Sequence, residues 1–109
     1  MPKQITVHEL KAKLDAGEPV YLVDVRQEWE HEAAALPGSL LVPLDQLPAR
    51  VAAIQPPAGA ELVTYCHHGI RSLHAAAYLE SAGFAEVASL AGGIDAWSRL
   101  IDAHVPRYR

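Results

Sequence analysis

The chain has a single cysteine, so no disulfide can close within it, and a C-x-x-C redox pair is absent. It also lacks a basic excess: nine lysines and arginines stand against 13 acidic residues, a formal charge of −4. A general binder of phosphate backbones carries the opposite balance, so nucleic acid is not an expected partner; a local positive pocket is still compatible with these totals. No run approaches the ~20 apolar residues of a membrane span, and the opening stretch "MPKQITVHEL" has no apolar secretion-signal core. No membrane partner and a cytoplasmic location are the resulting expectations. Repeats, low-complexity tracts and a dividing linker are missing as well.

What is present is ordinary globular composition. Half the residues are hydrophobic and 20% are charged, and a chain of this size buries one core without metal or disulfide help. One domain over 1–109 is expected.

Periodicity orders the chain as alternating helices and strands. "ITVHELKAKLDAG" (5–17) reads as a helix, with Thr6 and Glu9 spaced as a capping box and Val7, Leu10 and Leu14 on one face. "PVYLVDV" (19–25) is an apolar, β-branched run suited to a strand covered on both faces. One or two irregular helical turns follow in "RQEWEHEAAA", then a short strand at 39–43. Leu44, Leu47, Val51 and Ile54 fall at helical spacing, with Pro48 confined to the first turns. A third strand spans 61–66, a helix runs from Arg71 to a stop at Gly83, a fourth strand spans 84–90, and a glycine turn opens the last helix. This alternation predicts an α/β fold of about four to five strands, mostly parallel, with helices on both faces.

The cysteine lies in "TYCHHGIRS" (64–72), where the third strand ends. Ligands of open parallel sheets bind beyond such carboxyl ends. Gly69 can take a positive φ, loop amides can point inward as a nest, and the next helix contributes the positive end of its dipole. Arg71, His67 and His68 raise the local potential. Nearby cations and a helix N-terminus lower a thiol pKa from its free value of ~8.5 to ~3.5–7.5, each unit representing ~1.4 kcal/mol of preference for the thiolate. A lone cysteine is in general a small buried hydrophobe. Glycine, arginine and serine after it, between strand and helix, point here to a reactive thiol.

A metal site is not expected. Side chains at three consecutive positions, Cys66, His67 and His68, diverge; His74 lies on the next helix, and zinc ligands usually come in closely spaced pairs.

Four segments in order make the chain resemble a single-domain rhodanese, a thiosulfate-type sulfurtransferase. They are "LVDVRQEWE" (22–30), "LPGSLLVPL" (36–44), "CHHGIRS" (66–72) and "LAGGIDAW" (90–97). The resemblance implies that Cys66 cycles between thiolate and persulfide, taking sulfur from a small anionic donor such as thiosulfate. A thiol or protein acceptor, or cyanide in an assay, would then remove it. It implies main-chain amides of His67, His68, Gly69, Ile70, Arg71 and Ser72 around the persulfide, Arg71 holding the loop and attracting the donor, and no cofactor. Asp24 and Arg26 are implied as a structural ion pair beside the site.

Four residues separate Cys66 from Arg71, as in sulfurtransferases; phosphatase and arsenate-reductase relatives carry five. Alternatives are a sulfur carrier, a non-catalytic binding module or a phosphatase-like enzyme. The chain departs from the family's Gly-His before the second strand, reading Ala34-Ala35 there, and carries His67 and His68 inside the loop. With an ordinary pKa of ~6.5, these histidines are partly charged at pH 7, so donor affinity is expected to fall between about pH 6 and 8. Trp29 and Trp97 are expected to pack in the core or at the rim, His8, His31 and His104 to bond locally, and Ser72 to close the loop.

Overall fold

The structure, a computed structural model, describes residues 2–108, so Met1 and Arg109, the two ends of the expected domain, lie outside the described residues. The elements are β1 (Lys3–Ile5), α1 (Val7–Asp15), β2 (Val20–Asp24), α2 (Glu28–Ala33), β3 (Leu40–Leu41), α3 (Leu47–Arg50), β4 (Glu61–Tyr65), α4 (Ile70–Ser81), β5 (Val87–Leu90) and α5 (Gly93–Leu100).

Successive residues of a strand point to opposite faces, so an apolar run needs cover on both sides. Leu22, Val63 and Ala88 pack on one face with Leu10 of α1 and Ile94 and Trp97 of α5. Val23, Leu62 and Val87 pack on the other with Leu47 of α3 and Ala75, Ala76 and Leu79 of α4. The strands form one sheet in the order β1-β5-β4-β2-β3, and every neighbouring pair is parallel. This is the α/β architecture expected, with helices on both faces.

Several local expectations change. Ile5 belongs not to the first helix but to β1, an edge strand paired with β5; the helix begins after Thr6, whose side chain accepts from Glu9 N while Glu9 accepts from Thr6 N. The strands at 39–43 and 84–90 shrink to Leu40–Leu41 and Val87–Leu90. The helical stretch 44–54 breaks into two 3₁₀ turns around the single α-turn Leu47–Arg50, with Pro48 at its start. A proline there supplies no N–H for a continuous ladder.

The chain leaves β2 toward β3 and leaves β4 in the opposite direction, toward β5. Connections that diverge from adjacent strands open a crevice at their carboxyl ends. Val25 and Arg26 flank it on one side, Cys66 and His67 on the other. The first amides of α5 close its floor: Ile94 N donates to Cys66 O at 2.9 Å and Asp95 N to His67 O at 3.1 Å. A side chain at Gly93 would prevent this approach. An added Cβ would lie 2.3 Å from His67 O and 2.4 Å from Cys66 O, and the backbone there has φ +62°.

Gly93→Ala is therefore expected to cost roughly 2–5 kcal/mol, from left-handed strain together with overpacking against backbone. Urea unfolding measures it; an unchanged midpoint would mean that α5 can withdraw from the loop without penalty.

Candidate active site

Cys66 is 1% exposed and sits one residue beyond β4. Its sulfur receives two backbone amides, Gly69 N at 3.1 Å and Ser72 N at 3.3 Å. Gly69, at φ +107°, makes the reversal that brings its own amide back to the sulfur and caps α4. The Ser72 hydroxyl is 3.5 Å from the sulfur, and Thr64 Oγ1 donates to Ser72 O at 2.8 Å, tying the start of α4 to β4. Hydrogen-bond donors converging on one atom favour negative charge there. This is a cradle for an anion on sulfur.

Arg71 crosses the crevice. Its two terminal nitrogens donate to the two oxygens of Glu30 at 2.6 and 2.8 Å, a bidentate fork between α4 and α2. The bond to Glu30 raises the Arg71 pKa, outweighing burial. Burial opposes charge on Glu30, but Arg71, the Gln27 amide and the Tyr108 hydroxyl overcome it and hold the carboxyl at about 2. Arg71 is thus a fixed, neutralised cation rather than a free one.

Asp24 and Arg26, both fully buried, form the second ion pair. Arg26 Nε donates to Asp24 Oδ1 at 2.8 Å and Nη2 to Oδ2 at 2.6 Å. Further donations go from Arg26 to Glu30 O at 3.3 Å and Ala34 O at 2.6 Å, which pins the middle and the C-terminal end of α2. Burial works against the Arg26 charge, yet Asp24 and Tyr108 raise its pKa above the ordinary arginine value. His31 Nδ1 lies 2.7 Å from Asp24 Oδ2, a local bond of the kind expected for it.

Tyr108, beyond the last helix, joins the two pairs. Its hydroxyl accepts from Arg26 at 2.9 Å and donates to Glu30 Oε2 at 2.8 Å. Its ring stacks on His67, with centroids 4.2 Å apart, and meets Trp29 edge-on at 5.7 Å. Trp29 is 57% exposed, a rim residue, whereas Trp97 lies in the core at 7%. No local pattern marks a tyrosine 38 residues beyond Ile70 as a partner of the loop. Ile70 itself projects into solvent, 71% exposed.

The loop histidines do not diverge. The rings of His67 and His68 stack with centroids 4.0 Å apart, and their Nε2 atoms lie 3.9 and 3.8 Å from the Asp95 carboxylate. These three residues offer ligand atoms within 4.8 Å of one another, but both Asp95 oxygens already accept from Arg99 and Arg107, at 3.0 and 3.1 Å. Burial and the neighbouring His68 push the His67 pKa below its ordinary value. His67 is therefore less charged at pH 7 than the ordinary imidazole expected from the sequence. As a cause of the expected fall in donor affinity between about pH 6 and 8, His67 is weakened, its contribution moving to lower pH.

The Rhodanese-like domain family matches residues 6–100. The chain is 37% identical over 99 residues to a "Sulfurtransferase" of Allochromatium vinosum, covering 91% of each protein. It is 33% identical over 104 residues to the "Probable adenylyltransferase/sulfurtransferase MoeZ" of Mycobacterium tuberculosis, covering 95% of this chain but only 26% of that protein. Among solved structures, a "Rhodanese-like Domain Protein from Staphylococcus aureus" superimposes with a TM-score of 0.81 at 31% identity, covering 98% of this chain and 99% of the other.

The depressed Glu30 carboxyl makes stability pH-dependent. A carboxyl at about 2 in the folded chain, against an ordinary 4.5, contributes stability that is complete above 4.5 and is lost as pH falls through 2. The part-exposed Arg71 reduces the contribution to about 2–3 kcal/mol. Urea unfolding of the wild type is expected to lose at least this amount between those pH values, and Glu30→Gln to be less stable at pH 6 and to lose less across the same window, its remaining loss coming from the other depressed carboxyls, Asp95, Glu61 and Glu9. Parallel acid profiles would contradict the pairing.

Proposed function

The chain belongs to the rhodanese-like domain family, and we propose that it is a sulfurtransferase working through a persulfide on Cys66. The observation that supports this most is the pair of amides, Gly69 N and Ser72 N, on the sulfur of a cysteine at the carboxyl end of β4. Two amide donors stabilise sulfur as an attacking anion, and the same donors serve a persulfide after transfer.

The Cys66 thiolate attacks the outer sulfur of thiosulfate. A Cys66 S–S bond forms, the donor's S–S bond breaks, and its electron pair leaves on sulfite. An acceptor anion, a thiolate or cyanide, then attacks the outer persulfide sulfur and restores the Cys66 thiolate. Charge and sulfur balance in each half-reaction, so no cofactor or redox partner enters. Because Cys66 is 1% exposed, a donor reaches it end-on, with its terminal atom inside the loop and its bulk against His67, His68 and Ile70. Arg71, fixed by Glu30, keeps the loop in shape and presents a positive edge that does not swing. Asp24 and Arg26 touch no reacting atom in this scheme; they hold α2, and with it Glu30, in position. A small anionic donor and a thiol or protein acceptor are the partners this chemistry calls for, and a reducing, cytoplasmic setting suits one free cysteine.

Intact mass measured after incubation with thiosulfate is expected to rise by about 32 Da, one sulfur atom, and cyanide is expected to remove it. Cys66→Ser should show no gain. A wild-type protein that takes no sulfur from thiosulfate, polysulfide or a small persulfide would refute the reading.

A further inference from the structure

Ser89 lies outside every segment that carries the loop chemistry. It is fully buried on β5, directly across from Thr64 in the β4–β5 register. Its hydroxyl oxygen is 2.8 Å from that of Ser72, which is in turn 3.5 Å from the Cys66 sulfur. Among the described residues the Ser89 side chain makes no other hydrogen bond. A buried hydroxyl whose one partner faces a nucleophilic sulfur is placed to act on that sulfur through its partner.

We propose that Ser89 is a positioning residue for Cys66: through Ser72 it gives the sulfur a third hydrogen-bond donor, and it allows that donor to reverse with the sulfur's charge. The inference rests on Cys66 being the nucleophile. Amides only donate, so Gly69 N and Ser72 N serve the anion in one fixed sense. Hydroxyls both donate and accept, and turn about a single bond. With a neutral thiol, S–H donates to Ser72 Oγ and the Ser72 O–H donates to Ser89. Once the thiol proton has passed to a buffer base in solvent, the pair reverses: Ser89 O–H donates to Ser72 Oγ, and Ser72 O–H donates to the sulfur. No heavy atom moves.

Ser89 matters because a serine in the first turn of a helix has other options. Unassisted, Ser72 can turn its hydroxyl back to a loop carbonyl three or four residues earlier, at Gly69 or His68. A donor occupying one of its lone pairs fixes its orientation and polarises its O–H toward the sulfur. The geometry makes this a two-step relay, with Ser72 in contact and Ser89 behind it.

The test is the pH profile of Cys66 alkylation by iodoacetamide, alongside melting temperature. In Ser89→Ala the rate at pH 7 is expected to fall about two- to fivefold, the size expected from losing one cooperative hydrogen bond, with half-plateau reached at higher pH and the plateau itself unchanged. Ser89→Thr, which keeps a hydroxyl, should restore the wild-type profile. In a Ser72→Ala background, Ser89→Ala should add nothing, because its route to the sulfur is gone. A Ser89→Ala profile that superimposes on wild type would overturn the proposal, as would a Ser89 effect of full size without Ser72. The readout needs no sulfur donor, so a failure of sulfur loading with the Ser89 shift intact would strike only the transfer reading.

Discussion

The chemistry of this protein depends on which way two carbonyls point. Cys66 O and His67 O are turned down onto the first amides of α5, at 2.9 and 3.1 Å. A peptide unit is planar, so fixing a carbonyl direction fixes the opposite direction for the N–H of the same unit. The units so fixed carry the His67 and His68 amides; the chain then reverses at Gly69, and the amides that reach the sulfur are those of Gly69 and Ser72. Two helix N-termini, those of α4 and α5, therefore meet at one loop. One supplies an amide to the sulfur and the other holds the loop that makes this possible. Gly93 is the steric condition for it, since only a residue without a side chain permits backbone contact at 2.3–2.4 Å from a would-be Cβ.

Around the loop runs a chain of compensated charges: Asp24 to Arg26, Arg26 to Tyr108, Tyr108 to Glu30, and Glu30 to Arg71. Buried charges contribute stability only when each is paired and hydrogen-bonded, and here every member is. The consequence for function is that Arg71 is a strut. Its charge is balanced by Glu30, so in the proposed reaction the attraction of an anionic donor would fall more on the amides and helix ends than on a free guanidinium. His67, pushed toward its neutral form by burial and by His68, stacks on Tyr108 and adds less field than an ordinary histidine would.

The parts of this arrangement that were legible in the sequence were the local ones. β-Branched runs at 20–24 and 61–65 announced buried strands because periodicity is a property of neighbours along the chain. The spacing from Cys66 through Gly69 to Arg71 announced the loop for the same reason. Lys3–Ile5 was not legible, since three residues of mixed polarity form a strand only because β5, more than eighty residues on, supplies the ladder. Tyr108 and Ser89 were hidden in the same way, their meaning arising across the fold. His67 and His68 misled in a different manner. Adjacent side chains diverge on a regular element, but in a loop about to enter a helix the backbone turns both rings to the Asp95 side.

A cradle for an anion on Cys66 requires that the Gly69 and Ser72 amides sense the charge on the sulfur. Amide proton shifts of the ¹⁵N-labelled protein, followed through a pH titration, measure this directly. The two signals are predicted to move downfield together as the cysteine ionises, following the same curve as its reaction with an alkylating agent, and to stay still in Cys66→Ser. Signals that do not respond to the sulfur's charge in the wild type would contradict the cradle on which everything else here is built.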